Sequence, residues 1–159
     1  MKHLDTIRVF ADHYQFWVYD SEHNPFESLP EYTDESVNRG WQRTPYAISF
    51  STRAHLNDHK LDVFFCETQP DLNEADRVTS HPMSINSGLN IHDTEDSFKC
   101  VLAEGEYTLI LAAYNLGKEQ DHSEEELEDN EFFLRTNWER YELYICNYQS
   151  NKDASINDS

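Results

Sequence analysis

Apolar residues in this chain recur at every second position over short runs and almost nowhere at the three-and-four spacing of a helix face. Ile48, Phe50 and Thr52 alternate with small residues, and Leu61, Val63 and Phe65 alternate with Asp62, Phe64 and Cys66. A period of two fits the pleat of a strand, whose side chains point to opposite faces in turn. Phe98, Cys100 and Leu102 share one parity. The segment Ala103-Glu-Gly105-Glu then offers a glycine-containing turn before Tyr107, Leu109, Leu111 and Ala113, which predicts a hairpin across Gly105. Residues 141–148 alternate again, and 7–11 and 14–19 read as two extended pieces with a bend at Asp12-His13. The expected fold is therefore all-β: an antiparallel β-sandwich of about eight to nine short strands with one short helix.

The helix is predicted from its ends. Thr33 can cap it, Asp34 and Glu35 stand in the first turn where the helix dipole favours carboxylates, and Gly40 stops it after Arg39. Val37 and Trp41, four apart, would share one side and close an end of the sandwich. Composition shifts after Gln149. We therefore expect one domain over 1–149 with an acidic loop at 118–131, and a disordered polar tail over 150–159.

Charge narrows the function. Against 31 Asp plus Glu stand only 12 Lys plus Arg, a net charge of −19, which excludes a basic grip on nucleic-acid phosphates and equally on anionic membranes. Disorder is countered by 3 Trp, 9 Tyr and 9 Phe, enough large side chains to fill a core. The longest stretch free of Asp, Glu, Lys, Arg and His, Tyr107–Gly117, has 11 residues, whereas a membrane-spanning helix needs about 20. Asp5 and Arg8 interrupt the place of a signal peptide's apolar run, so a cytoplasmic protein is expected. Cys66, Cys100 and Cys146 form no Cys-x-x-Cys pair and sit in apolar segments, as reduced thiols do.

Chemistry is sparse. His55 and His59 have the spacing of a helical metal pair, but no glutamate lies between them and they fall in a connection rather than a helix. No Gly-x-Ser-x-Gly elbow occurs, and four glycines leave no phosphate-cradling loop. The acidic stretch lacks the alternating ligands and turn glycine of a calcium loop. No enzyme, cofactor or metal is expected.

Binding is left. Eight carboxylates (Glu119, Asp121, Glu124, Glu125, Glu126, Glu128, Asp129, Glu131) lie between Lys118 and Glu131. Extended at about 3.3 Å per residue they place one charge per about 5 Å, against one per about 1.7 Å in duplex DNA, so other carboxylates must join them to imitate a nucleic acid. The expected partner-binding residues are Tyr32, Asp34, Glu35, Trp41, Glu124, Glu125, Glu126 and Glu128, and the expected partner is a basic protein. The alternative is a small-ligand or carbohydrate-binding sandwich that uses Trp17, Tyr19, Tyr32, Trp41 and Tyr46 as its platform.

Five stretches, in order and spacing, resemble the competence protein J family of DNA-entry nuclease inhibitors. They are His13-Tyr-Gln-Phe-Trp-Val-Tyr-Asp20, Tyr32-Thr-Asp-Glu-Ser-Val-Asn-Arg-Gly-Trp41, Ala47-Ile-Ser-Phe50, Gly105-Glu-Tyr-Thr-Leu109 and Tyr141-Glu-Leu-Tyr-Ile145. The similarity spans about residues 7–148. It implies a small non-enzymatic inhibitor, of immunity type, that binds and silences a nuclease of DNA uptake; a monomer or homodimer is expected. The acidic insertion at 118–131 and the polar tail depart from the family pattern.

Overall fold

The protein's structure, a computed structural model, describes residues 1–10, 15–22, 33–53, 58–93, 97–118, 128–134, 136–147 and 155–157. Among them are eleven strands and two short helices: β1 (Lys2–Phe10), β2 (Gln15–Asp20), α1 (Asp34–Arg39), β3 (Trp41–Thr44), β4 (Ala47–Ser51), β5 (Asp58–Cys66), β6 (Arg77–Ile85), β7 (Gly88–His92), β8 (Ser97–Val101), β9 (Gly105–Tyr114), α2 (Asp129–Leu134), β10 (Arg140–Cys146) and β11 (Ser155–Asn157). The strands form a six-stranded sheet in the order β1-β5-β10-β9-β6-β11 and a five-stranded sheet in the order β3-β4-β2-β7-β8. The fold is the all-β sandwich that the alternation predicts. Every pairing is antiparallel except β5 with β10, which run parallel with Leu61 opposite Tyr141 and Val63 opposite Leu143.

Residues of one parity from both sheets meet in the interior. Val18, Ile48, Leu89 and Ile91 of the small sheet and Val63, Leu109, Leu143 and Ile145 of the large one are fully buried in a single cluster. Burying each such side chain contributes about 1.5–3 kcal/mol. A second cluster lies on the outer face of the large sheet, where Leu72 and Ala75 of the β5–β6 connection pack over Cys66, Val78, Ile110, Ala112, Tyr144 and Cys146. Both buried cysteines, Cys66 and Cys146, belong to this cluster, and Cys66, Cys100 and Cys146 are all free thiols.

This double burial overturns the hairpin expected across Gly105. Tyr107–Ala113 is buried on both faces, so β9 takes two partners, β10 and β6. Strand β8 instead alternates in exposure and, among the described residues, pairs with β7 alone, placing Phe98 opposite Ile91 and Cys100 opposite Leu89. Residues 102–104 therefore cross from one sheet to the other, and the Tyr107 hydroxyl donates to the Ala103 carbonyl at 2.7 Å to pin the corner. Strand β6, Arg-Val-Thr-Ser-His-Pro-Met-Ser-Ile, is polar in composition yet almost wholly buried. Pro82 stands beyond the residues that β11 pairs, Val78 and Thr79, where a sheet edge tolerates a missing N–H. Of the polar tail, 155–157 form β11, and 150–154, 158 and 159 lie outside the described residues. Among the described residues no helix is long and apolar enough to cross a membrane.

Candidate partner-binding surface

Helix α1 forms where the local signals place it. The Thr33 side chain accepts the Ser36 N–H at 3.1 Å, and Ser36 Oγ accepts the Thr33 N–H at 2.8 Å, a reciprocal cap that satisfies two otherwise orphaned donors. Asp34 and Glu35 are exposed in the first turn, and Gly40 leaves the helix with φ +92°. The expected apolar side is corrected: Val37 is 49% exposed, and the buried helix residue is Ser36. A helix of six residues turns one narrow stripe to its sheet, and here Gln42 Nε2 donates to Ser36 Oγ at 2.9 Å across that contact.

Trp41 is half-buried against the core. The Arg39 and Arg43 guanidinium carbons lie 4.2 and 5.0 Å from its ring, and His81 meets it edge-on at 4.8 Å. Arg39 Nε donates to the Trp41 carbonyl at 2.8 Å, which caps part of the open edge of β3. Arg43 Nη1 lies 3.2 Å from His81 Nδ1, and since arginine only donates, Nδ1 is the acceptor and Nε2–H is left to donate to Thr79 Oγ1 at 2.9 Å. Burial, then the charges of Arg43 and Arg39, push His81 down to about 3, so it is neutral at physiological pH. An open groove of about 370 Å³ adjoins this cluster, lined by Arg43, Thr44, Pro45, Pro82, Met83, Ser84 and Glu106.

A second polar centre lies at the end of the sandwich where β4 and β9 finish and β5 and β10 begin. Glu139 is 1% exposed, and its carboxylate accepts from Arg53, Gly117 and Tyr141. Arg53 N–H reaches both oxygens at 3.2 and 3.1 Å, Gly117 N–H reaches Oε1 at 2.8 Å, and the Tyr141 hydroxyl reaches Oε2 at 2.7 Å. His59 Nδ1 is 3.8 Å from the same carboxylate. Burial, then Glu139, raise the Tyr141 phenol well above its usual range, so it stays a donor. Through the Arg53 and Gly117 amides the carboxylate ties two connections to the start of β10. Among the described residues no group of three or more His, Cys, Asp and Glu is placed to hold a metal ion.

Four of the expected site residues are among those the structure describes. Asp34, Glu35 and Glu128 are exposed, Trp41 is committed to its two arginines, and Tyr32, Glu124, Glu125 and Glu126 lie outside the described residues. His59, expected in a connection, is a buried residue of β5, and His55 lies outside the described residues. Glu139, His81 and Arg77 stand in no motif of the sequence, and His59 does so only through its spacing from His55. Parity was the available signal: Glu139 continues the inward set Tyr141, Leu143, Ile145; His59 continues Leu61, Val63; and His81 precedes Met83, Ile85.

Comparison with solved structures gives the crystal structure of ComJ from Bacillus subtilis, described as an inhibitor of the DNA degrading activity of NucA. It has a TM-score of 0.67 and 16% identity over 91% of this chain and 96% of that one. A second structure, described as crocagin biosynthetic gene J, has a TM-score of 0.47 and 11% identity over 90% of this chain and 95% of that one. No curated protein matches. A family model described as Competence protein J (ComJ) matches residues 8–137, most of the sandwich, and the chain belongs to that family.

Proposed function

We propose that this protein is a non-enzymatic inhibitor that binds a nuclease and occludes its nucleic-acid-binding surface. The observation that carries the proposal is membership of the competence protein J family, with a fold shared along 91% of the chain with a member described as a nuclease inhibitor. The net charge of −19 supports the mode of action, because a nuclease must present positive charge to DNA and an anionic protein is steered towards that surface. In this proposal the acidic segment 118–131, with Asp34 and Glu35 of α1, faces a basic nuclease of DNA uptake, and the inhibitor works in the cytoplasm as a monomer or homodimer.

The test is a plasmid-degradation assay with the NucA nuclease and with any nuclease recovered from source cells on the tagged chain. The expected result is inhibition that saturates at one inhibitor per enzyme and weakens with added salt, with plasmid left intact by the chain alone. Full nuclease activity at every inhibitor concentration would overturn the proposal.

A further inference from the structure

Segments far apart in sequence converge on one buried carboxylate. The Arg53 and Gly117 donors to Glu139 are backbone N–H groups of connections rather than of strands. On one side Arg53 also reaches α1, since its Nη2 donates to the Asn38 carbonyl at 3.4 Å and neighbouring Ser51 Oγ donates to the Val37 carbonyl at 3.3 Å. On the other side lies the base of the acidic segment. Glu139 N–H donates to the Lys118 carbonyl at 2.9 Å, and Asn115 Nδ2 donates to the carbonyls of Thr136 at 2.8 Å and Trp138 at 3.3 Å. Left-handed conformations at Asn115 (φ 55°) and Gly117 (φ 82°) turn this strand end so that the Gly117 N–H meets the carboxylate.

Stability alone does not explain the residue. A buried charge is costly to desolvate, and apolar replacements of similar volume often serve a core as well or better. What an apolar side chain could not do is tie Arg53 to Gly117. We propose that Glu139 is the positioning residue of the partner-binding end: it holds the α1 arm and the base of the acidic segment in one frame, so that both meet the nuclease in a fixed relation. This inference rests on the nuclease-binding proposal above.

Amide hydrogen exchange and nuclease inhibition, measured on two variants of the full chain, test it. Glu139→Gln keeps the size but loses the charge and one acceptor oxygen. Exchange at Arg53 and Gly117 should accelerate by about tenfold or more while the core amides of Leu109 and Leu143 stay protected, and inhibition should fall by a similar factor. Tyr141→Phe removes the hydroxyl donor and leaves both arms tied. It should lower the melting temperature, yet keep exchange at Arg53 and Gly117 within about twofold of wild type and inhibition unchanged. If Glu139→Gln does not fold, Glu139→Asp, whose shorter side chain withdraws from Arg53 and Gly117, gives the same exchange readout. Wild-type exchange at both amides in the Glu139 variant would overturn the inference, as would equal loss of inhibition in Tyr141→Phe. Should the wild-type chain inhibit no nuclease, the functional proposal fails, and the exchange data still decide whether Glu139 ties the arms.

Discussion

At the scale of single residues, the tightest constraint sits at Gly40. Its φ of +92° disfavours any residue with a Cβ, and an added Cβ would lie 2.4 Å from the Arg77 guanidinium carbon. Arg77 is 4% exposed and has little room to retreat. Conformation alone would make alanine cheaper than valine here; the arginine makes both costly. Gly40→Ala should therefore destabilise by more than about 1 kcal/mol in denaturant titration, and Gly40→Val by more again. His81 supplies a pH dependence whose sign follows from its environment. The folded chain refuses a proton until about pH 3, whereas the unfolded imidazole takes one near 6.5. The stability that neutral His81 contributes is thus complete above pH 6.5 and is lost progressively as pH falls towards 3, by up to about 1.4 kcal/mol per pH unit. His81→Gln, which keeps an acceptor for Arg43, should flatten urea-measured stability between pH 6 and 4 by about one proton; an unchanged slope would assign the acid sensitivity to other groups.

At the scale of elements, legibility in the sequence tracks how local the determinants are. Helix α1 was readable because Thr33, Asp34, Glu35 and Gly40 act within one turn of the residues they cap. Thr33→Ala should cost about 1 kcal/mol, while Val37→Ala, at a half-exposed position, should cost less than about 0.5 kcal/mol. Thermal unfolding of the two variants checks both. Strand pairing was less readable because it depends on what covers each face. Strand β8 was expected to pair with β9 through a turn of good composition, but β9 is covered on its outer face by Leu72 and Ala75, a contact no local pattern announces. Strand β6 escaped notice because three of its inward positions, Arg77, Thr79 and His81, are polar and a hydrophobicity pattern scores them as surface. The same substitution of polar for apolar residues at inward parity hid Glu139, so the part of the candidate site that hydrogen bonds hold together was the part least visible in the sequence.

At the scale of the whole molecule, charge and shape make separable demands on an inhibitor. Long-range attraction from a net charge of −19 acts before contact and sets the association rate, whereas close packing acts after contact and sets the dissociation rate. Neutralising four carboxylates of the acidic segment, Glu124, Glu125, Glu126 and Glu128 to Gln, removes charge without removing an apolar anchor. Association with the nuclease should slow, by no more than a few tens of fold, at 0.01 M salt, where the Debye length is about 30 Å. At 1 M salt, where it is about 3 Å, the variant and wild type should associate alike. The dissociation rate should stay the same throughout, because solvent-screened charges add little to a formed complex. Surface plasmon resonance across that salt range separates the two rates. A variant that dissociates faster at high salt, with its association unchanged at low salt, would mean that the segment is clamped in the interface, and steering would then have to come from carboxylates elsewhere on the sandwich, such as Asp34 and Glu35.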